Sequence, residues 1–186
     1  MHKPRNTTNS KEPMTNMENR KAPWDAVAFF EKLTARNKLC IEKGFKCVEV
    51  SGMEGMEDAI KSMQSTKNFV IVTENAAGLT ELDNTPHHSK LRTVFIAMRH
   101  KQDDMKARHR CMDIIREVFR QFCSVIIQEN VRLQEENMQY IDPVIRLQEV
   151  SRYLVPGTAI MMFELGVNTF IDLSYNADEW ITVPNS

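Results

Sequence analysis

Glycine is scarce in this chain, with six in 186 residues. Phosphate-cradling loops need several glycines between a strand and a helix so that backbone N–H groups reach the ligand. Gly52 and Gly55 are the nearest approach to such a loop and lack its spacing, which excludes the common nucleotide-binding signatures. Charge of one sign is also missing: 24 Lys+Arg stand against 25 Asp+Glu, a formal net charge of −1. No global field therefore draws the molecule onto nucleic acid or an anionic membrane, and any such contact has to be local. No apolar run approaches the roughly 20 residues of a membrane span, and the first 24 residues lack the apolar centre of a secretory leader. The cysteines, Cys40, Cys47, Cys111 and Cys123, have no close-spaced pattern and lie in apolar-periodic segments. That suits buried free thiols, a reducing compartment and synthesis in the cytoplasm.

What remains is ordinary globular material: 42% hydrophobic and 26% charged residues, enough for one core and a solvated surface. Two parts are expected, an arm over residues 1–22 and one α+β domain over residues 23–186. The arm is polar, with Met14 and Met17 its only large apolar side chains besides Met1, so nothing offsets the entropy of ordering it. Lys3, Arg5, Lys11, Arg20 and Lys21 outnumber Glu12 and Glu18, making it a basic tether for an acidic partner surface or a nucleic acid. Its removal is expected to leave thermal stability nearly unchanged.

Asp25 then caps a helix whose stripe is Val27, Phe30, Leu33, Asn37 and Ile41, closed by Gly44. Residues 45–50 read as a short strand. A turn at 51–55 leads into a short helix through Met56, Ile60 and Met63, with Glu54, Glu57 and Asp58 capping its first turn. Residues 69–74 form a continuous apolar run of strand length. The polar stretch 75–90, with Gly78, Asp83, Asn84 and Pro86, reads as a long projecting loop before a second strand over 92–100. In that strand Thr93, Phe95 and Ala97 face one way, and Val94, Ile96 and Met98 the other.

The longest helix is expected from residue 103 to 130 or beyond, with Met105, Met112, Ile115, Phe119, Phe122 and Ile126 on the stripe that covers the sheet. Val118 and Val125 widen it, and Lys106, Arg110, Asp113, Glu117 and Arg120 form a solvated opposite face. Phe119→Ala is expected to cost roughly 3 to 5 kcal/mol. Residues 140–147 read as extended. A turn at Pro156-Gly157 precedes a long last strand over 158–173, in which Gly166 marks a bulge. Trp180 is expected to anchor the chain end.

Catalytic chemistry finds little support. The histidines His87, His88, His100 and His109 form no metal spacing with the cysteines. Adjacent His87 and His88 point to opposite sides of an extended chain and read as loop polar groups. Cys40, Cys111 and Cys123 sit in apolar helical settings, unlike activated nucleophiles. The twelve methionines fall mostly at apolar positions, as core filler or an adaptable surface. A basic cluster of Arg99, His100, Lys101, Lys106, Arg108 and Arg110 has no interleaved aromatics for stacking on single strands.

In order, the elements are an amphipathic helix, a small strand and helix, a hairpin, one long helix, and a hairpin with a long last strand. That order, over residues 24–180, resembles the tail terminator and related tail-completion or neck proteins of long-tailed bacteriophages. The basic arm and the segment 52–65 depart from a minimal member. The resemblance implies a small, mostly antiparallel sheet of two hairpins packed on a long helix and an N-terminal helix. It implies a non-catalytic virion subunit without cofactor, metal or catalytic residues. Such a subunit forms a homo-oligomeric ring, a hexamer by this resemblance, that joins other tail or neck proteins and is assembled in the host cytoplasm. Expected partner contacts are Lys3, Arg5, Lys11, Arg20 and Lys21 in the arm, His87, His88 and Lys90 in the projecting segment, and Arg110 and Arg120 on the long helix. No membrane contact is expected, and nucleic acid only through the arm. Two other classes stay open: a small ligand-binding regulatory α+β domain, which needs an apolar pocket with converging polar groups, and a hydrolase or transferase, which needs scattered Glu, His and Cys residues to converge.

Overall fold

The computed structural model describes residues 24–82, 86–150 and 155–181. The arm, including the five basic residues expected to make contacts there, lies outside them. Asp25 caps α1 (Ala26–Arg36), its carboxylate accepting from the Ala28 N–H at 3.0 Å. The expected single first helix breaks at Asn37, which the apolar period had counted as a stripe position. Its N–H donates to Leu33 O, its Oδ1 accepts from Cys40 N, and its Nδ2 donates to Gln121 on the long helix at 2.7 Å. One asparagine thus ends α1 and starts α2 (Lys38–Lys43), the capping role for which this residue type is selected. Ile41, expected on the buried face, is exposed as a result. Gly44 closes α2 in the left-handed conformation, φ 68°, where a glycine carries no steric penalty.

β1 (Phe45–Val50), β2 (Asn68–Glu81), β3 (His87–Arg99), β4 (Gln139–Ile141), β5 (Arg146–Glu149) and β6 (Thr158–Phe170) form one six-stranded mixed sheet. Its order is β1-β2-β3-β6-β4, with β5 also on β6; β1 runs parallel to β2 and the other pairs are antiparallel. The α+β expectation holds. Strand alternation follows the expected sides: Val94, Ile96 and Met98 join Ala159, Met161, Phe163 and Leu165 in the larger core beneath α1 and α4 (Met105–Asn137). Phe95, Ala97, Phe69 and Ile71 belong to a smaller core on the other face, closed by Met56 and Ile60 of α3 (Met53–Ser62) and by Val155. Asp104 caps α4 through Ala107 N at 2.8 Å. Its stripe Met112, Ile115, Val118, Phe122 and Ile126 is buried, whereas Met105 and Val125 are exposed and Phe119 only half-buried.

Several expectations are corrected. The segment 75–90 is not a long loop. β2 continues to Glu81 and β3 begins at His87, paired residue by residue from Ala76↔Arg92 to Glu81↔His87. The polar sequence misled because no helix among the described residues covers this half of the hairpin, so its side chains have no apolar pattern while the β2–β3 ladder still pairs the backbone. The bulge lies in β2 between Val72 and Ala76, not at Gly166, which stays in register opposite Leu91. Gly166 is there for space: an added Cβ would lie 3.2 Å from Asp142 Cβ and 3.3 Å from Leu91 Cδ2. β6 ends at Phe170, short of residue 173. Trp180 does not anchor the chain end but stacks on Tyr175 while 65% exposed. Gly52 starts α3 without a side-chain cap, and Glu57 pairs instead with Lys61 at 3.1 Å.

Candidate docking surfaces

Catalytic groups can be judged directly from their surroundings. Burial pushes the thiols of Cys40 and Cys47 up to about 12, and those of Cys111 and Cys123 upward as well. An activated nucleophile needs the opposite shift. Among the described residues no group of three His, Cys, Asp or Glu side chains could hold a metal ion, and no helix is long and apolar enough to cross a membrane. The basic cluster at the β3–α4 junction is partly turned inward. Arg99 donates to the Ile60 and Met63 carbonyls and lies over the Phe69 ring, and Arg108 donates to Val150 O at 3.0 Å. Arg99 thus ties α3 to the sheet, and Arg108 ties the segment after β5 to α4.

Four surface features stand out. The first is the far half of the β2–β3 hairpin. β1 pairs with β2 only as far as Val50↔Thr73, so beyond that point the outer edge of β2 is open among the described residues, with Leu79 and Leu82 exposed near it. His87 and His88 lie here on opposite faces, as adjacent strand residues must. His88 Nδ1 is 2.7 Å from Thr80 Oγ1, while His87 is 3.6 Å from Glu81 and 6.4 Å, ring to ring, from Tyr140, itself 5.9 Å from Phe170. Lys90 is exposed on the same strand.

The second feature is the opposite margin of the sheet. β5 is exposed along its whole length. Leu147 on it, Val144 before it, and Ile127 and Val131 on α4 are exposed aliphatics, Ile127 by 67%. Between them is a recess of about 290 Å³ walled by Cys123, Ile127, Ile141, Pro143 and Ile145. Along α4 the expected contact Arg120 is held by Glu117 at 2.6 Å, and Arg116 bridges Asp113 and Glu149. Arg110 is exposed one turn before Asp113.

The third is a groove of about 1110 Å³ between α1–α2 and α4. Trp24, Phe29, Leu33, Leu39 and Val125 give it apolar walls. Its carboxylates are committed. Glu117 accepts from Arg120 and Gln121, which hold it down at about 2; Glu129 is lowered by Arg132 and by the Trp24 indole N–H; Glu42 pairs with Lys43; and Asp25 caps α1. Its cations Lys32, Arg36 and Lys38 make no ion pair among the described residues, Lys32 acting on Glu129 only at longer range.

The fourth is the chain beyond β6. Ile171 N donates to Pro86 O at 3.0 Å. From there residues 172–181 are exposed throughout, including Leu173, Tyr175 (76%) and Ile181 (92%). Neither the groove nor this segment was singled out in the sequence. The groove depends on the break at Asn37, but the segment had a readable signal: from Asp172 to the end there are three carboxylates, no Lys, Arg or His, and several large apolar residues. No protein-family model matches this chain, and no curated protein matches it significantly.

Proposed function

We propose that this chain is a non-catalytic assembly subunit that associates head to tail into a closed homo-oligomeric ring. The kind of ring meant is the one that ends or joins the tail in long-tailed phages, as the order of elements suggests. One observation carries the reading: among the described residues the sheet has two different open margins on opposite sides, β2 beyond Thr73 and β5, each flanked by exposed aliphatic residues. A head-to-tail contact needs two unlike surfaces on one subunit, and it closes a ring when the rotation per subunit divides the circle. Open edges left in a monomer are also templates for uncontrolled pairing, a hazard that a ring removes.

Leu79→Glu and Leu147→Glu test this, because each places a charge at one margin without touching either core. Both variants should retain the wild-type unfolding midpoint and lose ring particles in negative-stain micrographs. Rings in both variants would remove the two margins as contact surfaces. A second reading, a small-molecule-binding domain, is favoured by the volume and apolar walls of the groove. It predicts a bound compound released on denaturing the purified protein, detectable by mass spectrometry.

A further inference from the structure

The groove and the terminal segment are complementary in chemistry. The groove offers apolar walls and three cations, Lys32, Arg36 and Lys38, that make no ion pair among the described residues. The segment after β6 offers exposed Leu173, Tyr175, Trp180 and Ile181 interleaved with Asp172, Asp178 and Glu179, and no positive charge. Its 3₁₀ turn, Ala177–Glu179, and the Tyr175–Trp180 stack (centroids 6.3 Å apart, planes at 19°) hold the two aromatic rings together on one short element. No residue of the segment lines the groove of its own chain. Large apolar side chains grouped this way and left in water mark a contact surface, and an acidic rim facing unpaired cations selects the partner and its orientation.

We infer that the segment 172–181 of one copy docks in the groove between α1–α2 and α4 of the next copy, its aromatic pair against the apolar walls and its carboxylates on Lys32, Arg36 and Lys38. This rests on the head-to-tail reading and names one of its contacts. The contact joins unlike parts of the chain, groove and segment, so it can pass from one subunit to the next around a ring, as a head-to-tail assembly requires.

A charge exchange tests the docking. One variant carries Lys32→Glu, Arg36→Glu and Lys38→Glu; the other carries Asp172→Lys, Asp178→Lys and Glu179→Lys. All six positions are exposed, so both should fold. Sedimentation velocity of the full-length proteins over a concentration series reads assembly. Each variant alone should need about tenfold or more protein to assemble, since three attractions become repulsions. An equimolar mixture should assemble near the wild-type concentration, because in an alternating ring every acidic segment meets a basic groove and every basic segment an acidic one. Variants that each assemble like wild type would overturn this docking, leave the groove to another occupant such as the arm 1–22, and leave the head-to-tail reading standing. Dissociated variants that the mixture does not restore would likewise overturn it. A wild-type protein that stays monomeric throughout would overturn the head-to-tail reading and the docking together.

Discussion

Phe30→Ala should be among the most damaging single substitutions in this molecule. Phe30 is 0% exposed, and its ring centroid lies 5.9 Å from Phe163 on β6, 6.0 Å from Phe122 on α4 and 5.3 Å from Phe29. It is the point where the first helix, the long helix and the sheet meet. Truncating a buried phenylalanine to alanine costs about 3 to 5 kcal/mol in transfer and cavity terms. The upper half of that range is expected here, because three elements would have to move together to fill the space. Domains of this kind are stable by about 5 to 15 kcal/mol, so roughly a quarter or more of the total is at stake. With a urea dependence of about 2 kcal/mol per molar, the midpoint should fall by roughly 2 to 2.5 M at unchanged slope. Urea titration followed by circular dichroism measures it directly. A fall below about 0.5 M would mean that α1 does not pack as described. Phe119, to which the helical period assigned this severity, touches the core through Phe163 at 5.1 Å but is only half-buried. Phe119→Ala should cost clearly less, about 1.5 to 3 kcal/mol.

Other perturbations probe separate parts of the account. Asn37→Ala removes the side-chain cap of α2 at Cys40 N and the bond to Gln121, while the backbone N–H that closes α1 is kept; it should cost about 1 to 2 kcal/mol and speed hydrogen exchange in α2 before α4. Gly166→Ala should lower stability by about 1 to 3 kcal/mol by pressing on Asp142 and Leu91, measurable by thermal unfolding, while a neutral result would show that the 142–145 segment gives way freely. The buried thiols of Cys40 and Cys47 stay protonated to about 12 when folded, whereas unfolded thiols ionise near pH ~8.5. Their contribution is therefore full below that pH and is lost as pH rises toward the folded value. The urea midpoint should decline from pH 8.5 to 10.5, and the decline should flatten in a Cys40→Ala, Cys47→Ala variant relative to its own value at pH 7.

The parts of the fold that were legible in the sequence are those where burial repeats at one period. The α4 stripe through Met112, Ile115 and Phe122, the alternation from Val94 to Met98, and the termination at Gly44 each record a local rule. The far half of the β2–β3 hairpin was not legible, because strand residues without a covering helix show no apolar alternation and Gly78 and Pro86 signal turns. Gly166 looked like a bulge because the side chains that crowd it, Asp142 and Leu91, are remote in sequence. The parallel pairing of β1 is set by α3 crossing between two strands, and nothing in residues 45–50 announces it. The groove was hidden for the same reason as the helix break: Asn37 fits an apolar period by position while its side chain caps and reaches Gln121. The terminal segment was hidden by the assumption that a tryptophan is an anchor, when Trp180 and Tyr175 are both exposed.

Light scattering of the purified full-length protein across a wide concentration range, at low and high salt, decides whether the subunits close into a ring. A head-to-tail ring gives one closed species whose mass is a fixed multiple of 21.6 kDa at high concentration, reached at lower protein concentration in low salt than in high salt. A mass of 21.6 kDa at every concentration and salt strength would contradict it.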